Sequence, residues 1–411
     1  MRRIASIILA FAAVIPCLAQ SVFTGRWYGR LTAGQTSITI VFNISEDETG
    51  AMACTMDSPD QGVTGISATV DDASGIAISI SVPSLGVTYK GTYFMNSLAG
   101  TFTQMGRDFP LTLKKGEEKL NRPQTPQPPF PYTAREVSFT NAEAGATLAG
   151  TLVIPQGASA DTPVIIMVSG SGLENRDEEI FDHKPFLVLA DYLARHGVAS
   201  LRYDDRSYGQ SKGGDIRNAT TPDFRDDAKA GIEFLRQTGL FGKIGVLGHS
   251  EGASIAFMLG ASGDCDFVIS LAGIGVKGEE ALLAQANRVL ELSGTDQRYT
   301  LQQYRQVLLS QNSPWMNWFA SYDPQADIRA CKCPVFAANG DKDIQVISAQ
   351  NLTVIRGLLP DNCANRVMEY PGLNHLFQHC TTGNVTEYRS IEETISTQLL
   401  QDIADWCGTL K

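Results

Sequence analysis

The chain has 411 residues, 43% hydrophobic and 19% charged, which is enough for two domains that each build their own core. Its net charge of -11 argues against nucleic acid or an anionic membrane surface as a partner, because phosphate backbones demand a basic footprint. Arg2-Arg3 stand ahead of an apolar run from Ile4 to Ile15 that is too short to span a bilayer, and small residues follow near Leu18-Ala19-Gln20. Residues 1–20 therefore read as a secretory signal peptide, and the expected location is periplasmic or secreted with no stable membrane span. Cys17 offers a competing reading, a lipid anchor, although Pro16 occupies the position where that signal wants a small residue.

Residues 21–118 are poor in charge and rich in Thr, Ser and Gly. Ile38, Ile40 and Phe42 share one face, and Ile76, Ile78, Ile80 and Val82 repeat with period two. Short alternating strands between turn residues predict a small antiparallel β-domain, either sandwich or barrel. Pro123, Pro126, Pro128, Pro129 and Pro131 then mark a stiff, extended linker across 119–135, and a second unit occupies 136–411.

In that unit, apolar runs alternate with helical periodicities. Gly150 to Pro155, Pro163 to Val168, Ala199 to Tyr203, Ile244 to Leu247, Phe267 to Leu271, Pro334 to Asn339 and Arg366 to Tyr370 read as strands. Pro185 to Arg195 and Asp226 to Arg236 read as helices. This alternation predicts a mostly parallel sheet covered on both faces, with a ligand site at the carboxyl ends of its strands. The strand ending at Val168 opens into Ser169-Gly170-Ser171-Gly172, whose backbone can approach a ligand closely, and Ser171 or Gly172 is a candidate N–H donor there. His183 follows, either as a substrate contact or as a residue before the helix opened by Pro185. Arg202, Asp204, Asp205 and Arg206 crowd the end of another strand, which favours a structural ion-pair network over direct catalysis.

Gly248-His249-Ser250-Glu251-Gly252 lies between an apolar strand and the helical run Ala253 to Leu259. Strand, sharp turn and helix in that order form a nucleophile elbow: the glycines permit the turn and hold the Ser250 hydroxyl proud of the backbone. The N–H of Glu251 is then placed to stabilise an oxyanion. From about Glu279 to Tyr322 the alternation gives way to helical sequence, read as a cap inserted over 276–326. Its Trp315, Trp318 and Phe319 are better explained as packing the cap on the body than as lining a pocket. An elbow serine needs an acid and then a histidine later in the chain. Asp343 stands deeper in the loop after its strand than Asp341, which suits the turn itself, and His375 follows the next strand in a Pro-Gly-Leu-Asn loop. His379 is its rival. No metal or cofactor site emerges, since Cys331 and Cys333 are too tightly spaced for a zinc pair, and the pairing of the remaining cysteines does not follow from spacing.

Gly170-Ser171-Gly172 with Arg176-Asp177, Leu201 to Arg206, Gly248 to Gly252, Gly340 to Val346 and Gly372 to His375 together resemble the bacterial esterase group of the α/β-hydrolase superfamily, across roughly residues 136 to 411. Ser207 departs from the glycine usual in that group after Asp-Asp-Arg. The resemblance implies an α/β-hydrolase with a helical cap, preceded by a small all-β domain, acting on short-chain acyl esters through Ser250, Asp343 and His375. Small-molecule esters are the implied partners; the oligomeric state is open, a homodimer included. Two other readings stand beside it: an exported serine peptidase of the prolyl-oligopeptidase type, for which the leading domain is too short to be a propeller, and a glycan or envelope binder with an inactive hydrolase half.

Overall fold

The computed structural model describes residues 21–33 and 36–410, so the expected signal peptide and Cys17 lie outside the described residues. The chain divides into two compact units between Lys119 and Leu120. No helix among the described residues is long and apolar enough to cross a membrane.

The first unit is an eight-stranded antiparallel meander: β1 (Gly25–Ala33), β2 (Thr36–Glu46), β3 (Met52–Ser58), β4 (Val63–Ser74), β5 (Ala77–Val82), β6 (Val87–Phe94), β7 (Ser97–Gln104) and β8 (Arg107–Lys115). Pairing of Trp27 with Lys115 and of Tyr28 with Lys114 joins β8 to β1 and closes the barrel, which decides against the sandwich. Alternation sends Trp27, Phe42, Ile80, Tyr89, Leu98 and Leu113 inward, where all are fully buried. The Tyr89 hydroxyl satisfies itself by donating to the Leu98 carbonyl at 2.7 Å. One residue of the period-two run falls outside the pattern. Ile76 sits in the turn before β5 and is 60% exposed, because the strand begins only at Ala77.

The second unit is a single eight-stranded sheet. Its strands are β9 (Tyr132–Asn141), β10 (Ala146–Pro155), β11 (Val164–Val168), β12 (Ala199–Tyr203), β13 (Ile244–His249), β14 (Phe267–Leu271), β15 (Val335–Gly340) and β16 (Arg366–Tyr370). They are ordered β16-β15-β14-β13-β11-β12-β10-β9, parallel from β12 through β16, with β9 and β10 antiparallel at the edge. Strands β11 to β15 are buried along their whole length, as their near-continuous apolar sequences require of a sheet covered on both faces. On one face lie α1 (Pro185–Arg195) and α9 (Thr397–Gly408), which contribute Phe186, Leu189, Leu193, Leu399, Ile403 and Trp406 to the core. On the other lie α2 (Thr221–Thr238), α3 (Glu251–Ser262) and, further along the chain, the helix Ser348–Leu358, with Ile232, Leu235, Ile255, Leu259, Leu352 and Ile355. Each such fully buried side chain contributes about 1.5–3 kcal/mol of transfer free energy. Helix α2 starts at Thr221, five residues before the sequence-based expectation, because the Asp223 carboxylate accepts the Thr220 N–H at 2.8 Å and completes a capping box.

The insertion between β14 and β15 forms α4 (Gly278–Leu292), α5 (Leu301–Ser310), α6 (Pro314–Ser321) and α7 (Gln325–Ala330), and the helix after β15 is therefore α8. The charge cluster after β12 is a network of fixed pairs. Arg206 forks onto Asp227 at 2.7 and 2.9 Å, Asp227 also accepts from Asn141 at 2.8 Å, Arg176 forks onto Asp204 at 3.0 and 2.8 Å, and Arg202 pairs with Asp177. Ser207 adopts φ 56°, the left-handed region that glycine occupies freely, and its hydroxyl donates to the Gly213 carbonyl at 3.0 Å.

Candidate active site

Ser250 stands between β13 and α3 with φ 54° and ψ −115°, a strained backbone held by its surroundings. The two glycines of the elbow are sterically required. A Cβ on Gly248 would run into the Gly252 carbonyl, and one on Gly252 into the Val168 carbonyl of β11. Ser250 N–H donates to the Leu271 carbonyl at 2.8 Å, which pins the turn to the neighbouring strand.

Asp343 follows β15 and His375 follows β16. His375 Nδ1 and Asp343 Oδ2 are 2.8 Å apart, and both side chains are buried. The second carboxylate oxygen of Asp343 accepts the N–H groups of Gln345 at 2.7 Å and Val346 at 2.9 Å, so the acid is oriented from behind. Nδ1 of His375 faces a carboxylate and so carries its proton, leaving Nε2 free to act as a base. Among the described residues no hydrogen bond joins Ser250 to His375, but both line the same cavity of about 680 Å³. Asp341, the other aspartate of that loop, instead accepts the Gly372 N–H at 2.6 Å, a turn-holding contact. His379 is exposed and pairs with Glu393 at 2.7 Å. His183 is fully buried between the Thr394 hydroxyl at 2.9 Å and the Tyr388 carbonyl at 3.0 Å, away from the cavity lining. Burial, reinforced by Arg122, pushes its pKa down to about 4.

The glycine-rich loop after β11 brings Gly170 and Ser171 to the cavity, whereas Gly172 does not line it. Gly170 N–H is committed to Glu178 at 3.0 Å. Glu251 lies at the first turn of α3 with its carboxylate buried; burial raises its pKa, and the Thr221 hydroxyl at 2.5 Å, the Trp315 indole at 2.8 Å and Ser171 hydrogen-bond to it. Trp315 and Phe319 of α6 line the cavity and also pack, as expected, in a cluster with Val276 and Val346, where Trp318 stacks on Tyr322. Ile274, Leu282, Ala286, Leu290 and Leu376 complete its mainly apolar wall.

One pair was not visible in the sequence. Glu178 sits 2.8 Å from His249 Nδ1, and His249 Nε2 lies 2.9 Å from the His375 carbonyl oxygen. Both ring nitrogens face acceptors, so the ring is an imidazolium; burial opposes the charge, but Glu178 outweighs it and carries the pKa up to about 9. This ion pair fastens the glycine-rich loop, the elbow and the loop bearing His375 to one another. Nothing in the local pattern around Glu178 announces it, since the partner is 71 residues away.

Residues 184–303 match the family model described as serine aminopeptidase, S33. Esterase EstD of Thermotoga maritima is 30% identical over 125 residues, 30% of each chain, and an acyl transferase of Shewanella hanedai is 31% identical over 93 residues, 23% of this chain and 29% of that one. The chain thus spans about 30% of the length of the curated relatives it matches. Among solved structures, Est1E of Butyrivibrio proteoclasticus with bound ferulic acid superposes with a TM-score of 0.46 at 15% identity, covering 67% of this chain and 98% of that one. Strand order, the elbow after β13, an acid after β15 and a histidine after β16 give the chain an α/β-hydrolase fold, and its matched segments are similar to an esterase and to serine aminopeptidases of that fold.

Proposed function

We propose that the protein is an exported serine carboxylesterase that hydrolyses short-chain acyl esters through an acyl-enzyme. The observation that carries this reading is the Asp343–His375 pair at 2.8 Å, which shares one cavity with a serine held on a strained elbow. His375 takes the proton of Ser250 as the hydroxyl attacks the ester carbonyl, with Asp343 stabilising the imidazolium that forms. The Glu251 N–H, at the positive end of α3, and the Ser171 N–H receive the developing oxyanion. His375 then protonates the leaving alcohol, and water, activated by the same histidine, releases the acid. A cavity of about 680 Å³ has room for a short acyl group and the alcohol part together.

The match to a serine aminopeptidase model favours an amide-cleaving activity as the second reading. Hydrolysis of a chromogenic ester series of rising acyl length, run beside peptide amides, separates the two. Ser250→Ala should lower ester turnover on the order of 10⁶-fold. Amide cleavage without ester cleavage moves the assignment to peptidase, and a folded Ser250→Ala protein with undiminished turnover refutes the mechanism.

A further inference from the structure

The cavity around Ser250 has an asymmetric charge. Among the described residues no lysine or arginine lines it, and its one imidazolium, His249, faces three glutamates. Two of these are spoken for: Glu178 holds His249 and Gly170, and Glu251 holds Thr221 and Trp315. The third, Glu174, has no hydrogen bond or ion pair to its carboxylate among the described residues. Its backbone, in contrast, is fixed on both sides. Glu174 N–H donates to Asp205 Oδ2 at 2.8 Å, and the Glu174 carbonyl accepts the Asp205 N–H at 3.1 Å. Asp205 is itself buried, so this residue of the glycine-rich loop is built into the unit rather than left on a loose turn.

A half-buried carboxylate without a hydrogen-bond partner of its own, in a mainly apolar wall, is costly unless something compensates it. Burial, then the neighbouring Glu178, pushes the Glu174 carboxyl up to about 7, because the His249 imidazolium, already bonded to Glu178, offsets only part of that rise. A bound cation would offset the rest, and an anionic ligand would meet repulsion from the same group.

Resting on the esterase reading above, we propose that Glu174 is a specificity-determining residue, and that the preferred substrates carry a protonated amine beside an apolar body, such as amino-acyl or aminoalkyl esters. The ammonium group pairs with Glu174 while the apolar part lies against Leu282, Ala286, Leu290 and Phe319 of the cap. Esters with a free carboxylate in the same position are the disfavoured class.

The test uses the full chain and three isosteric nitrophenyl esters that differ only in bearing an ammonium, a neutral hydroxyl or a carboxylate group. The expected order of kcat/KM is ammonium, hydroxyl, carboxylate, and Glu174→Gln should compress the ammonium-to-hydroxyl ratio at least about tenfold. Because the readout is a ratio, a general loss of activity in the variant does not imitate it. Calorimetric binding of a short alkylammonium ion and its alcohol analogue to Ser250→Ala protein gives a measurement independent of turnover. Preference for the ammonium that Glu174→Gln abolishes supports the proposal even where no ester is cleaved, which would count against the esterase reading alone. A hydroxyl or carboxylate substrate preferred over the ammonium, or ratios unchanged by Glu174→Gln, overturns it.

Discussion

Replacing Glu178 with Gln keeps an acceptor for His249 Nδ1 and for Gly170 N–H but removes the charge. In the wild type, His249 rises from an ordinary 6.5 to about 9, which corresponds to about 3 kcal/mol at 1.36 kcal/mol for each decade. A folded-state pKa above the unfolded value means that the folded protein holds the proton more tightly. The added stability is therefore fully present below pH 6.5 and is lost as pH climbs through 9. Without the carboxylate, burial dominates and favours the neutral ring. Urea unfolding of wild type and Glu178→Gln at intervals from pH 6 to 9.5 should show a difference of about 3 kcal/mol at the acid end, shrinking steadily toward the alkaline end. The same variant should lower kcat more than it raises KM, since the pair positions loops rather than touching substrate. A stability difference that stays flat across this pH range would falsify the assignment of His249 as a buried imidazolium.

Asp343→Asn should lower kcat by about 10⁴-fold while leaving the fold intact, measured as ester turnover beside circular dichroism, because the amide no longer fixes the His375 tautomer. Trp315→Phe removes the indole that caps the buried Glu251 carboxylate; we expect a loss of about 1–3 kcal/mol in unfolding experiments and a raised KM, and unchanged values of both would show that the cap does not depend on this bond. Ser207→Val should destabilise by about 1–2 kcal/mol, because a β-branched residue resists φ 56°, whereas Ser207→Gly should stay within about 0.5 kcal/mol. His183, held near pKa 4, acts in the opposite sense from His249. Its stabilisation is complete above pH 6.5 and disappears as pH falls through 4, so the acid limb of the wild-type stability curve should flatten in His183→Gln.

What the sequence made legible was the part written locally. The elbow is a contiguous pattern with a strand before it and a helix after it, and the order of serine, aspartate and histidine follows from one strand succeeding another. The apolar runs of β11 to β15 are long enough to name themselves. Three things were not written locally. Closure of the barrel depends on β1 meeting β8 across most of the domain, and alternation within strands does not distinguish that from two stacked sheets. The direction in which Trp315 faces depends on how α6 lies over Ser250, which the helical period alone leaves free. The Glu178–His249 pair joins a loop residue with a left-handed backbone, φ 51°, to the residue before the nucleophile, and neither has a spacing rule. Ile76 shows the reverse failure, a pattern that continued one step past the structure it described.

Arg122 and Gln124 look in sequence like part of a tether, yet their side chains are structural members of the second unit. The Arg122 guanidinium donates to the Phe181, Arg389 and Ile391 carbonyls at 2.8 to 3.0 Å, and Gln124 donates to the Ile395 carbonyl at 2.8 Å while accepting from the Thr394 N–H. The partners lie up to 271 residues downstream. During synthesis, the barrel can pair each strand with its neighbour as it emerges, but these opening residues of the second unit can bond Phe181 early and wait for nearly the last stretch of the chain for the rest of their partners. A ribosome stalled before residue 389 would thus present a finished barrel followed by a second unit whose first clasp is only half made.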